Sequence, residues 1–174
     1  MTPTAALAKY RVADLVVAPE NVRLAFLLES PYADEVVHGH PLAGGSGKNM
    51  ARFLVAKVSA FRQWAPDIPI GCQILMRGES RLALMNCSNH PLDKTLYCLH
   101  DYHAHAATID GWDLIRRNPG AGTRHNPDHP VLEAQMVGDL DERLQRLPAD
   151  ALVVPCGDVA RTIAGKCAFP ETRL

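Results

Sequence analysis

Two carboxylates, Glu29 and Glu35, stand at either end of a short segment that also carries Ser30, Pro31, Tyr32 and Asp34. A positioned carboxylate can stabilise a developing cation, orient a water or take its proton, so two in one loop could share those tasks. Further along, Asn86 offers a side-chain amide with donor and acceptor side by side, the arrangement that reads the edge of a planar heterocycle. Between them, Gly44-Gly45-Ser46-Gly47-Lys48 is a glycine-rich stretch of the kind that opens a helix and can receive a phosphate on its free N–H groups. It is not a nucleoside-triphosphate loop, because Leu42 stands where the first glycine belongs and Asn49 where the hydroxyl belongs. His100, His103 and His105 cluster around Asp101 with spacing that could approach a metal, but no further ligands follow at fixed spacing, and the stretch reads as exposed and histidine-rich. No Gly-x-Ser-x-Gly nucleophile motif occurs.

These residues need elements to hold them. Residues 22–28 are almost wholly apolar with one charge, the pattern of a parallel strand covered on both faces. The acidic loop would then leave the strand's carboxyl end, where open α/β sheets bind their ligands. A helix capped by Ser46 or Asn49 is expected next, with Met50, Phe53, Leu54, Val58 and Phe61 on its apolar side. It should end by Trp64, because Pro66 cannot continue it. Residues 66–78 fit either a short strand at 68–76 or a loop. A second strand at 81–88 carries Asn86 and runs into Asn89-His90-Pro91, with Asn89 as the substitute amide.

Residues 93–130 show no clear period. The turn signals at 118–122 and 126–128 suggest an insertion over the site, with Arg116, Arg117, Arg124 and His125 available for phosphates. Pro130 should open a helix capped by Asp128 or His129, with Val131, Leu132, Met136, Val137, Leu140, Leu144 and Leu147 facing inward. A third strand at 151–155 and a short helix after Cys156-Gly157-Asp158 follow, and residues 1–21 read as a short helix or arm. The expected fold class is α/β: a three-layer αβα sandwich with a short central parallel sheet, as one domain over residues 1–174.

At 174 residues, 47% hydrophobic and 21% charged with a formal net charge of −1, the composition is that of an ordinary globular domain. The balance argues against binding along extended DNA phosphate tracts, though not against a local basic patch. No apolar run approaches the length of a membrane span, and no basic-then-apolar leader opens the chain, so a cytoplasmic monomer that touches no membrane is expected. Five cysteines without a CxxC pair point to reduced thiols.

Glu29-Ser30-Pro31, then Asp34-Glu35, then Gly39-His40-Pro41-Leu42-Ala43-Gly44-Gly45-Ser46-Gly47 resemble the first motif of the uracil-DNA glycosylase superfamily, closest to the branch with Gly-Glu-Ala-Pro-Gly. Tyr32 is similar instead to the Tyr with which the uracil-specific branch excludes thymine. Leu42 replaces the aromatic that stacks on the base. Asn86 sits where the family's base-reading Asn ends the second central strand, and residues 151–160 resemble its strand-Leu-Gly-x-x-Ala element with Cys156 in place of Leu. The likeness covers residues 22–164. His129-Pro130 precedes the third strand rather than following it, and the family's His-Pro-Ser motif and its fourth parallel strand have no counterpart.

The resemblance implies a DNA glycosylase acting on uracil or another deaminated base in a damaged DNA strand, without metal or organic cofactor. Glu29 and Glu35 would be the catalytic candidates. Ser30, Pro31, Tyr32, Leu42 and Asn86 would surround the base, with backbone amides around residues 30–32 on the leaving group. Gly45, Ser46, Gly47 and Lys48 would meet a DNA phosphate. The iron–sulfur cluster of some relatives is not expected, since only Cys87 and Cys98 lie near the right places. Two alternatives stay open: an inactive superfamily member that binds a nucleobase, nucleotide or protein, and an unrelated α/β hydrolase or transferase using Glu29 and the histidines.

Overall fold

The structure, a computed structural model, describes residues 5–119 and 129–168. Four strands form one sheet: β1 (Leu15–Val16), β2 (Leu24–Leu28), β3 (Leu82–Asn86) and β4 (Leu152–Pro155), in the order β1-β3-β2-β4. The last three are parallel and carry the apolar runs seen in the sequence; β1 joins β3 antiparallel, Leu15 opposite Leu84. The sheet is therefore mixed rather than wholly parallel, because part of the N-terminal arm becomes an edge strand.

Side-chain alternation divides the interior. Ala25, Leu27, Ala83, Met85 and Val153 face one core, and Phe26, Leu82 and Leu84 face the other with Leu15. The first core is covered by α5 (Ala106–Arg117), α6 (His129–Leu144) and α7 (Asp158–Ala164), the second by α2 (Gly45–Lys57) and α3 (Ile70–Arg77). Helices on both faces of a short sheet make the αβα arrangement that the runs predict. Two shorter helices, α1 (Ala33–His38) and α4 (Leu99–Ala104), lie in the connections.

Four local expectations are corrected. Residues 66–78 contain neither a strand nor only loop: α3 forms because Ile70 and Ile74, one turn apart, are both buried, and Gly78 at φ 60° ends it in the left-handed conformation. Gln73 ties the preceding turn to this helix, donating to the Ala65 and Ile68 carbonyls and accepting from the Ala65 N–H. Helix α2 starts from Gly44 with no side-chain cap, so neither Ser46 nor Asn49 serves, and it stops at Lys57 with Phe53 facing solvent. The stretch after residue 93 is no mere insertion, for Ile109, Trp112 and Ile115 of α5 sit in the main core. Finally, Val131, expected to face inward, is exposed on α6, whose described part begins at His129; the expected cap at Asp128 lies outside the described residues.

The outer edge of β4 is blunted. The Leu152 and Cys156 N–H groups donate to Arg23 and Leu27 in β2's direction, so alternation turns the Val153 and Pro155 nitrogens outward, and Pro155 has no hydrogen to offer a further strand.

Candidate functional site

The carboxyl ends of β2 and β3 are locked side by side. Leu28 pairs with Asn86, Cys87 N–H donates to Leu28 O at 2.8 Å, and Ser88 N–H donates to Glu29 O at 3.3 Å. One loop further, Leu92 N–H donates to Ser30 Oγ at 3.3 Å. Because β2 connects to β3 on one flank while β4 joins on the other, the chain reverses direction across the sheet at β2, the place where ligands enter open α/β sheets.

Glu29 leaves the end of β2 half-buried, and its Oε1 is enclosed without a hydrogen-bond partner among the described residues. Burial pushes its carboxyl above the usual range; the positive Arg116 pulls it back and Asp93 pushes it further up. Arg116 is not free for a phosphate, since it pairs with Asp93 at 3.4 Å and Asp113 at 3.2 Å, and Arg117 also pairs with Asp113. Arg124 and His125 lie outside the described residues.

Glu35 is engaged differently. It is buried, its Oε1 accepts from Leu42 N–H at 2.6 Å, and its Oε2 accepts from Tyr32 N–H at 3.0 Å. Burial raises this carboxyl too, while the two N–H bonds oppose the rise. Glu35 thus clamps the two ends of the motif loop. The clamp holds Leu42 at φ 52°, a left-handed conformation that costs a side-chain-bearing residue about 1–2 kcal/mol. Leu42 is buried in the α2–α3 core, and its carbonyl accepts from Gly71 N–H at 3.3 Å. Gly47 passes so close to that carbonyl that any side chain there would collide with it.

Pro31 and Ser30 are buried beneath the loop, and Tyr32 is 52% exposed at its rim. At the start of α2, Gly45, Ser46 and Lys48 face solvent, and Lys48 N–H is already used by Gly44 O. Gly44 supplies no side-chain cap to the thirteen-residue helix, and the Asp34 carboxylate packs against Gly44, so this positive helix end already has an acidic neighbour.

Asn86 is fully enclosed, and both Oδ1 and Nδ2 lack partners among the described residues. By alternation its side chain belongs to the face of Leu82 and Leu84, whereas the charges felt by Glu29 come from Arg116 and Asp93 on the other side. The structure therefore brings the two strand ends together without placing carboxylate and amide in one cavity. Asn89, the substitute amide, accepts at Oδ1 from Arg143 at 3.3 Å.

Arg143, which sequence reasoning did not single out, organises this end of β3. From α6 its Nη1 donates to both Asp14 oxygens at 2.8 and 2.9 Å and to Asn86 O at 2.9 Å, while Nη2 donates to Cys87 O at 3.0 Å. One guanidinium thereby ties α6, β3 and the segment before β1. Nothing in the local sequence marks it, because its partner Asp14 is remote in the chain and the carbonyls are invisible to side-chain patterns.

The histidines do not assemble. His100 and His103 are exposed, and no group of three His, Cys, Asp or Glu side chains able to hold a metal occurs among the described residues. Asp101 belongs instead to Lys9, the Tyr10 hydroxyl and the Cys98 thiol, contacts led by Lys9 that hold its carboxyl well below the usual range. No helix among the described residues is long and apolar enough to cross a membrane. Compared with protein-family models, curated proteins and solved structures, the chain has no significant match in any of the three.

Proposed function

We propose that this chain hydrolyses the N-glycosidic bond of uracil or another deaminated base in DNA. The observation that carries the reading is a pair of enclosed polar groups without partners among the described residues, Glu29 Oε1 and the Asn86 amide, at neighbouring carboxyl ends of the parallel strands. Buried polar groups are ordinarily hydrogen-bonded, so groups left open at strand ends are suited to meeting a ligand. The target base would be extruded from the stack. As its bond to the sugar breaks, positive charge grows on the sugar, and an ionised Glu29 stabilises it and takes a proton from the attacking water. Asn86 would read the base edge, and the Lys48 side chain, exposed at the start of α2, would meet a neighbouring phosphate.

In this reading Glu35 is a positioning residue that sets the loop, because both its oxygens are committed to backbone N–H groups. The leaving base is held by fewer amides than the motif suggests: the Tyr32 N–H is spent on Glu35, and Pro31 has none. A second reading, a non-catalytic binder of a nucleobase, nucleotide or protein partner, is favoured by the closure of Leu42 and Asn86 and by their separation from Glu29.

The test is excision from single- and double-stranded oligonucleotides containing uracil, hypoxanthine or xanthine, read as strand cleavage after alkali. Excision lost in Glu29→Gln supports hydrolysis. Absence of excision with every substrate, from folded protein, rejects it in favour of binding, which Glu29→Gln would leave nearly intact.

A further inference from the structure

A cavity of about 570 Å³ lies on the opposite side of β3 from Asn86 and does not include Glu29, Tyr32, Leu42 or Asn86 among its lining residues. Its floor is built from the segment after β3 and from two helices: Cys87 and Ser88 beside Trp112 of α5 and Met136 of α6, all buried. His90 completes the floor. Its ring stacks on Trp112 with centroids 5.3 Å apart and planes 21° apart, and it is only 8% exposed. Its Nε2 has no hydrogen-bond partner among the described residues.

The rim carries the charge. Arg143 is saturated by Asp14 and the β3 carbonyls, and Arg146 pairs with Glu142 at 2.6 Å. Arg11 is left, with no ion pair and no side-chain hydrogen bond among the described residues, and its charge is felt at His90 across the cavity. Asp139 faces the same space from α6, and its carboxylate is likewise unpaired among the described residues. A cavity of this size suits a molecule of mononucleotide or aromatic-acid dimensions, with an apolar floor for its body and few polar groups to fix it.

We propose that this cavity is a second binding site, for a small organic anion whose carboxylate or phosphate pairs with Arg11, whose body lies over Met136 and Cys87, and whose polar group hydrogen-bonds His90 Nε2. Burial against Trp112 pushes His90 down to about 4, so the imidazole is neutral at pH 7 and can either donate or accept at Nε2. Asp139 selects against a ligand that is anionic at both ends and favours one with a donor, such as a ring hydroxyl or amino group, at the far end. The site is separate from the Glu29 loop, and its failure would leave the hydrolytic reading standing.

The probes are uridine 5′-monophosphate and 4-hydroxybenzoate, with inorganic phosphate alone as the test of a simple anion site, each titrated calorimetrically into the full chain at low salt. Saturable one-to-one binding of either organic anion is expected, weakened at least tenfold both in Arg11→Gln and in His90→Phe. Arg11 is exposed, so its replacement leaves the fold intact, and Met136→Trp, which fills the cavity, should abolish binding independently. Nucleotide binding alone or benzoate binding alone supports the site and assigns the anion as phosphate or carboxylate. No binding of either, binding unaffected by Arg11→Gln, or inorganic phosphate binding as tightly as the organic anions would overturn the proposal.

Discussion

Replacing Arg143 by Met tests whether one guanidinium holds the end of β3. The side chains of Arg143 and Asp14 are 13% and 12% exposed, so the pair is close to buried. The change deletes the bonds to Asp14, Asn86 O, Cys87 O and Asn89 Oδ1, and leaves a carboxylate and three acceptors without their donor. Breaking a fully buried ion pair from one side costs about 3–5 kcal/mol. The residual exposure lets water reach part of this set, which puts the expected loss near the lower end, about 3 kcal/mol, or a fall in Tm of roughly 6–12 °C for a chain of this size. Urea denaturation followed by circular dichroism should show a lower midpoint at unchanged slope. Asp14→Asn made on top of the Arg143→Met change should cost less than Asp14→Asn alone, with a coupling of about 2 kcal/mol. A loss below about 1 kcal/mol, or additive single mutants, would refute the claim that the pair is a structural tie. Arg143→Lys keeps the charge but not the fork, and should fall between the parent protein and Arg143→Met.

His90 is neutral in the fold and charges readily when unfolded, so its contribution to stability is complete above about pH 6.5 and is lost as pH falls toward about 4. The loss is at most about 3 kcal/mol, and His90→Phe should flatten that part of the stability–pH curve relative to the parent protein. If Glu29 is the catalytic base, excision requires its ionised form, and the raised carboxyl places the acid limb of the rate profile above the ordinary Glu range. Arg116→Gln removes the neighbouring positive charge and should move that limb to higher pH, whereas an unmoved limb would dissociate Glu29 from the rate. At Leu42 the left-handed backbone reverses the usual order of small residues: Leu42→Gly should be at least as stable as Leu42→Ala in denaturant titration, although both lose a buried side chain. Gly47→Ala should destabilise by more than about 1 kcal/mol and disturb the loop, because the added carbon meets the Leu42 carbonyl, a backbone atom that cannot step aside.

The strands β2, β3 and β4 were legible in the sequence because an apolar run too short for a helix has few other uses, and their register sets the ends from which Glu29 and Asn86 emerge. Helix α6 was equally plain from its long apolar stripe. What sequence could not decide were matters of remote partnership. Whether residues 70–77 coil or extend depends on Ile70 and Ile74 packing beside α2 on one face of the sheet, since the residue types alone permit both outcomes. The two glutamates of the motif loop look alike in the chain, but the fold directs two backbone N–H groups onto Glu35 and, among the described residues, none onto Glu29 Oε1, so that one becomes a clamp and the other keeps an enclosed, unpartnered oxygen. Arg143 and the cavity floored by His90 are likewise products of packing, built from segments far apart in the chain. Local sequence determines which residues can lie in strands and turns; hydrogen-bond partners and buried spaces between elements exist only once the elements have met.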